Sequence, residues 1–316
     1  MLTEAVFQTA RLCVVGNINR DIKTAPMVPG DYLFADGETP IDGVSETIGG
    51  GGANSAAIAA KLGAQVSFVG QVGDDALGRS LEAALTCAGV HCFLHLDREH
   101  PTGSTINLVF NDGHRHFLSC HPNNAAQRFE SLDLSALEQT EHLLRADIWF
   151  SEAMLFGGNE KLFRHARELG VSTSIDLNWD PQWGRAPAAE IARRKDAVRG
   201  ILPLVDLAHG NVRELCEFTD ATELPAALER LQHWGVGAVV IHLGASGAGY
   251  FSNGEIAVAP PGPVQQRVLA TGTGDVLSVC MMMLHHHKAA APEKLRLANQ
   301  IVAEFIEGKR QLIPGL

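Results

Sequence analysis

Short apolar runs that end in glycine-led turns and then enter helix-forming stretches recur along this chain, and that alternation admits few folds. Residues 12–15 read as a buried strand that stops at Gly16-Asn17-Ile18-Asn19-Arg20-Asp21. Polar groups just past such a strand are where α/β proteins place ligand contacts. Gly49-Gly50-Gly51-Gly52-Ala53-Asn54 then opens an alanine-rich helix to about Leu62, closed by Gly63 as a C-terminal stop. Residues 66–69 form the next predicted strand, followed by the turn Gly70-Gln71-Val72-Gly73-Asp74-Asp75 and a helix near 77–88. Further strands are expected at 146–150, 174–177, 204–208 and 238–242. Strands alternating with helices predict an α/β chain whose mainly parallel sheet is covered on both faces.

Two stretches break the pattern. Residues 24–47 are rich in Pro, Gly, Asp and Glu, with short alternating pieces such as Asp31–Phe34 that read as strand. Residues 104–110 and 114–119 read as a hairpin joined around Asn111-Asp112-Gly113. Together they predict a small β lid, formed by about 22–48 and about 104–120, on one domain spanning 1–316. No solenoid repeat or linker divides the chain.

The bulk numbers narrow the function. A net charge of −11, with basic residues only single or paired, makes nucleic acid an unexpected partner. The six cysteines lack a C-x-x-C pair and suggest free thiols in a reducing cytoplasm. Met1 to Ala10 lacks the basic start and apolar core of a signal peptide. Apolar runs such as 276–284 are too short to span a bilayer, so no membrane partner is expected.

The strongest chemical signal is Ala270-Thr271-Gly272-Thr273-Gly274-Asp275 before an apolar helix. Such a turn offers unpaired N–H groups and a positive dipole end to an anion, and glycine lets a phosphate reach the main chain. Asp275 there is either a helix cap or a carboxylate that accepts a proton from an attacking hydroxyl. A dinucleotide-binding oxidoreductase is disfavoured, because the turn after the first strand lacks the G-x-G-x-x-G spacing.

Two separated segments resemble the motifs of the ribokinase/PfkB carbohydrate kinase family. Residues 49–78, GGGGANSAAIAAKLGAQVSFVGQVGDDALG, are similar to its N-terminal motif, and 271–275 resemble its C-terminal motif. The resemblance covers nearly the whole chain and implies a ribokinase-like three-layer α/β/α fold with a small β lid. It implies an ATP-dependent phosphotransferase acting on a hydroxymethyl group of a sugar, with Mg2+. Asp275 would be the base, and the amides of Gly272, Thr273 and Gly274 the anion hole. Asn211-Val212-Arg213-Glu214 looks like the N-x-x-E motif, so that Asn211 and Glu214 help hold magnesium and phosphate. On the sugar side the resemblance implies Asn19, Asp21, Gly50, Gly51 and Asn54, with a weaker match at Glu152. For the nucleotide, Leu243-Gly244-Ala245-Ser246-Gly247 resembles the L-G-x-x-G turn, and Asn299 falls where the family has an asparagine near adenine. Lid edges in the family pair between subunits, which offers Asp31–Phe34 for a homodimer.

The chain departs from the family at Leu269 and Ala270, where Asp and Thr are usual, which puts a monovalent-cation requirement in question. Asp180 replaces an arginine that commonly faces acidic substrates, so a neutral sugar is expected. His242 stands where a threonine is common. A nucleoside acceptor keeps the same chemistry and stays open, as does a non-catalytic sensor of sugar or nucleotide. The histidines at 114, 116, 121 and 285–287 show no convergent ligand set for a metal.

Overall fold

The protein is described by a computed structural model covering residues 2–268 and 272–316. The first unit comprises β1 (Arg11–Val15), β2 (Asn19–Thr24), β3 (Val44–Gly49), α1 (Gly51–Lys61), β4 (Gln65–Gly73), α2 (Ala76–Cys87) and β5 (Val90–Asp97). Next come β6 (Ser104–Val109), β7 (Arg115–Cys120), α3 (Pro122–Ala126), β8 (His142–Arg145), α4 (Asn159–Glu168), β9 (Ser172–Asp176) and α5 (Ala188–Arg199). The chain then forms β10 (Leu207–Asn211), α6 (Val212–Thr219), α7 (Leu224–His233), β11 (Ala238–His242), β12 (Ala248–Ser252), β13 (Glu255–Ala259), α8 (Thr273–Met283) and α9 (Ala291–Ile306).

One nine-stranded sheet runs in the order β13-β12-β11-β10-β9-β8-β1-β4-β5. It is parallel from β11 to β5, with β12 and β13 antiparallel at one edge. Strand side chains alternate between two cores. Leu12 and Val14 of β1 join the core that packs α1, α8 and α9, while Cys13 and Val15 join the opposite core with Phe163 of α4 and Phe218 of α6. This is the three-layer arrangement expected, and its central helix α8 is buried from Val276 onward.

A second sheet pairs β3-β2-β6-β7, with β2 and β6 parallel and the outer pairs antiparallel. The β6–β7 hairpin turns where expected, at Gly113, whose φ of 90° suits glycine. Asp31–Phe34 is not strand but a 3-10 turn, so it presents no strand edge to a second subunit. Its alternation misled because Leu33 N–H closes back on Gly30 O locally and Phe34 lies 91% exposed.

The strand expected at 146–150 is displaced. β8 ends at Arg145, and Asp147 turns the chain with a φ of 54°. Ile148 and Trp149 are buried all the same, which is why their apolar run resembled strand. Likewise 204–208 overlaps a 3-10 turn, and β10 begins at Leu207. All six cysteines are free, and among the described residues no helix is long and apolar enough to cross a membrane.

Candidate active site

Two helix N-termini face one another at the carboxyl ends of the parallel strands, where α1 packs against α8. The α1 end needs glycine because it is crowded. A Cβ on Gly52 would lie 2.6 Å from the Gly16 Cα, and one on Gly50, whose φ is 91°, would lie 2.4 Å from the Asn17 carbonyl oxygen. Asp147, in its left-handed turn after β8, caps this end from across the sheet. Its carboxylate accepts from Asn17 N–H (2.9 Å), Gly51 N–H (3.1 Å) and Gly52 N–H (2.8 Å). Arg145 braces the turn behind it: fully buried, it donates to Asn159 Oδ1 at 2.8 Å and to the Val15 and Ala146 carbonyls.

Asp275 stands in the first turn of α8, one helical step past Gly272, whose φ is 85°. Thr271, together with the departures at Leu269 and Ala270, lies outside the described residues. Burial pushes the Asp275 carboxyl up to about 7, and the charges of Asp147, Glu214 and Asp21 push the same way against a hydrogen bond from Asn54. Asp21 is likewise raised to about 6, chiefly by burial, with Lys23 and Asn19 opposing. Asp176, at the end of β9, is held well above the usual carboxylate range by burial and by Glu214 and Asp275. Several acids thus crowd one cleft, a charge excess that a bound cation would offset.

The residues expected on the sugar side are brought together. Asn19 Nδ2 donates to Asp21 Oδ1 at 2.8 Å, which leaves the buried Asn19 Oδ1 with no partner among the described residues. Asn54 Oδ1 is in the same state. Gly50 lies against Asn19, while the Gly51 N–H is given to Asp147. Glu152 is set apart: its side chain is 74% exposed, and its nearest charged neighbour is Arg194 at 4.0 Å.

Asn211 and Glu214 form a reciprocal cap on α6. Glu214 N–H donates to Asn211 Oδ1 at 2.9 Å, and Asn211 N–H donates to Glu214 Oε2 at 2.8 Å. Burial raises the Glu214 carboxyl, opposed by its bonds with Asn211 and by Arg213. Among the described residues no group of three or more His, Cys, Asp or Glu side chains is arranged to hold a metal ion. One or two carboxylates with waters suffice for magnesium, and Glu214, held by Asn211 at the α6 cap, can supply one of them.

Beyond α8 lies a cavity of about 540 Å3 lined by Gly244, Gly247, Thr273, Gly274, Asn299 and His242, among others. Gly244 and Gly247 have φ of 58° and 98°, as the turn demands. Asn299 is partly committed to the fold, since its Nδ2 donates to the Ala259 and Pro260 carbonyls at 3.1 and 2.7 Å. His242 Nε2 lies 3.0 Å from Ser278 Oγ, and burial lowers its pKa to about 4, so it sits neutral beside Gly274.

Asp180 does not face the cleft. Fully buried, it is paired in a fork with Arg194 (Nε to Oδ2, 2.7 Å; Nη2 to Oδ1, 3.1 Å), and Arg194 also donates to the Trp149 carbonyl. The expectation that it repels acidic substrates is corrected: its charge is neutralised inside the protein. Asp147 and Arg145 escaped the sequence reading, whereas Asp176 opens the segment 176–180 that resembles the family's D-x-N-x-R pattern. Each follows or ends a parallel strand, the one signal that singles out such positions.

A family model described as "pfkB family carbohydrate kinase" matches residues 9–305. The chain is 27% identical over 320 residues to a ribokinase of Arabidopsis thaliana, covering 94% of this chain and 76% of that protein. It is 30% identical over 236 residues to an aminoimidazole riboside kinase of Salmonella typhimurium, covering 72% and 70%. Arabidopsis thaliana ribokinase complexed with ribose and ATP superimposes with a TM-score of 0.75 at 23% identity, over 97% of this chain and 96% of that one. A putative ribokinase II from E. coli gives 0.80 at 21%, over 94% and 93%. With a family match over nearly the whole length and the fold that family uses, the chain belongs to the pfkB family of carbohydrate kinases and is a phosphotransferase.

Proposed function

We propose that this kinase transfers the γ-phosphoryl of ATP to a hydroxymethyl group of a neutral sugar, with Asp275 as the base. The observation that carries this reading is the placement of Asp275 in the first turn of α8, hydrogen-bonded to Asn54 on one side and beside the cavity lined by Thr273 and Gly274 on the other, where burial pushes its carboxyl up to about 7. A base is most effective when its pKa lies near the working pH. The substrate hydroxyl gives its proton to Asp275 as its oxygen attacks the γ-phosphorus in line, and the bond to the β-phosphate oxygen breaks without a covalent enzyme intermediate. The N–H groups of Gly272, Thr273 and Gly274 stabilise the charge that develops on the transferred group.

Asn19, Asp21 and Asn54 suit vicinal hydroxyls, because unpartnered carboxamide oxygens beside a carboxylate accept hydroxyl hydrogens. Gly50 and Gly51 let the sugar approach the main chain. Gly244, Gly247 and Asn299 line the space for the nucleoside part of ATP, whose triphosphate reaches back to α8. Magnesium, when bound, neutralises charge on the phosphoryl oxygens, and Glu214 with Asn211 at the α6 cap would hold it. The acids Asp21, Asp147, Asp176 and Asp275 favour a neutral acceptor, since a sugar acid or phosphate would add charge to that cleft. The second sheet closes the cleft as a lid and excludes water. Its outward row Ile22, Ile106 and Leu118, in register across three strands, is where a second copy would dock.

A nucleoside acceptor is the second reading, favoured by the 30% identity to a riboside kinase. Purified protein with magnesium and ATP, offered pentoses, hexoses and nucleosides, decides the matter. ADP release with one class names it, and silence across all of them counts against the kinase reading and favours a sensor.

A further inference from the structure

The lid strand β6 carries a polar side chain that the reading above does not use. Residue partners in parallel strands point to the same face, so Thr105 shares the face of Asp21, and Asn107 that of Lys23. That face looks into the cleft. Asp21 feels the charge of Asp147 and in turn raises Asp275. Thr105 Oγ1 lies 2.8 Å from His121 Nε2, and the His121 ring packs 5.6 Å from that of Phe150, just past the Asp147 turn. Ile106, between them, points the other way and is 41% exposed.

Asn107 is 1% exposed, yet its Oδ1 has no hydrogen-bond partner among the described residues. An apolar side chain of that size would fill the same space without leaving a buried acceptor unsatisfied. Asn107 also stands two residues further along the lid than Thr105, roughly 7 Å more distant along the strand from the Asp21 row.

Resting on the kinase reading, we infer that Asn107 is a specificity-determining residue whose carboxamide accepts a hydrogen bond from the acceptor at the end remote from the phosphorylated hydroxyl. The donor is a distal sugar hydroxyl or, on a nucleoside, an N–H of the base; the chemistry read is the same. An acceptor lacking a donor there leaves the carboxamide buried and unpaired, and is discriminated against for that reason.

The test compares wild type with Asn107→Leu and Asn107→Ala, as full chains, using D-ribose, D-fructose, D-glucose and adenosine with ATP and magnesium. For whichever acceptor wild type uses best, KM rises about tenfold or more in both variants, the usual cost of one lost buried hydrogen bond. Turnover at saturation and the KM for ATP stay within about threefold, which a merely disruptive change would not allow. Thermal denaturation without substrate checks folding, and Asn107→Leu melts no lower than wild type because it removes an unsatisfied group. The arm affected separates sugar hydroxyl from base N–H. Unchanged KM for the used acceptor in both variants overturns this inference alone. A wild type that turns over none of the four overturns the kinase reading for these acceptors, and this inference with it.

Discussion

The nine-stranded sheet hides apolar side chains on both faces, whereas the four-stranded sheet turns Asn19, Asp21, Thr105 and Asn107 toward the cleft and leaves Ile106 and Leu118 to solvent. The first sheet is a scaffold whose strand ends and helix N-termini hold the acids in place. The second has its polarity inverted, as the proposed function requires of a sheet that covers a polar ligand rather than a core. On the proposed function, rigidity and burial on one side make the chemistry, and unpaired polar groups on the other make the recognition.

Substitutions on each side separate these roles. Asp275→Asn, on the scaffold side, lowers turnover by about 10²–10⁴-fold while leaving nucleotide affinity intact, since a base is lost and a shape kept. Steady-state kinetics and nucleotide titration together check it. Asp180→Ala strands Arg194 without its partner in the interior and costs about 3–5 kcal/mol of stability in denaturant unfolding. Acceptor preference stays unchanged, because the pair does not face the ligand. Gly52→Ala forces a Cβ against the Gly16 backbone and costs about 1–3 kcal/mol in the same measurement. The lid's outer face gives the smallest effect. Ile106→Lys changes stability by no more than about 0.5 kcal/mol, and in sedimentation it dissociates any dimer that docks on this row.

Legibility in the sequence followed the same division. The α1 entry at Gly49 to Asn54, strand β11 and the Asn211–Glu214 cap are local patterns, and the residues that make them are neighbours in the chain. Asp147 was invisible because its partners, Gly51 and Gly52, lie about a hundred residues earlier, and no local rule links them. Asp180 misled for a related reason, its partner Arg194 being on the next helix. On β6 the alternation of Thr105, Ile106 and Asn107 was readable, but which face would be buried was not, since a lid reverses the usual rule that apolar residues point inward. At Asp31–Phe34 a short alternation without a pairing partner closed into a 3-10 turn instead.

The acids in the cleft set the pH response. Asp275 stays protonated in the folded chain up to about pH 7, whereas in the unfolded chain it ionises near 3.8, as an ordinary aspartate does. Between those values the folded state binds more protons, so stability falls as pH rises, and Asp275→Asn flattens that slope. For catalysis the sign is opposite, because the base must be ionised. Measuring kcat/KM of the wild type against pH with its best acceptor is the most direct test. The predicted profile climbs about tenfold per pH unit below an inflection near 7 and levels above it. A profile flat from pH 5 to 9 would contradict Asp275 as a buried base poised near neutrality.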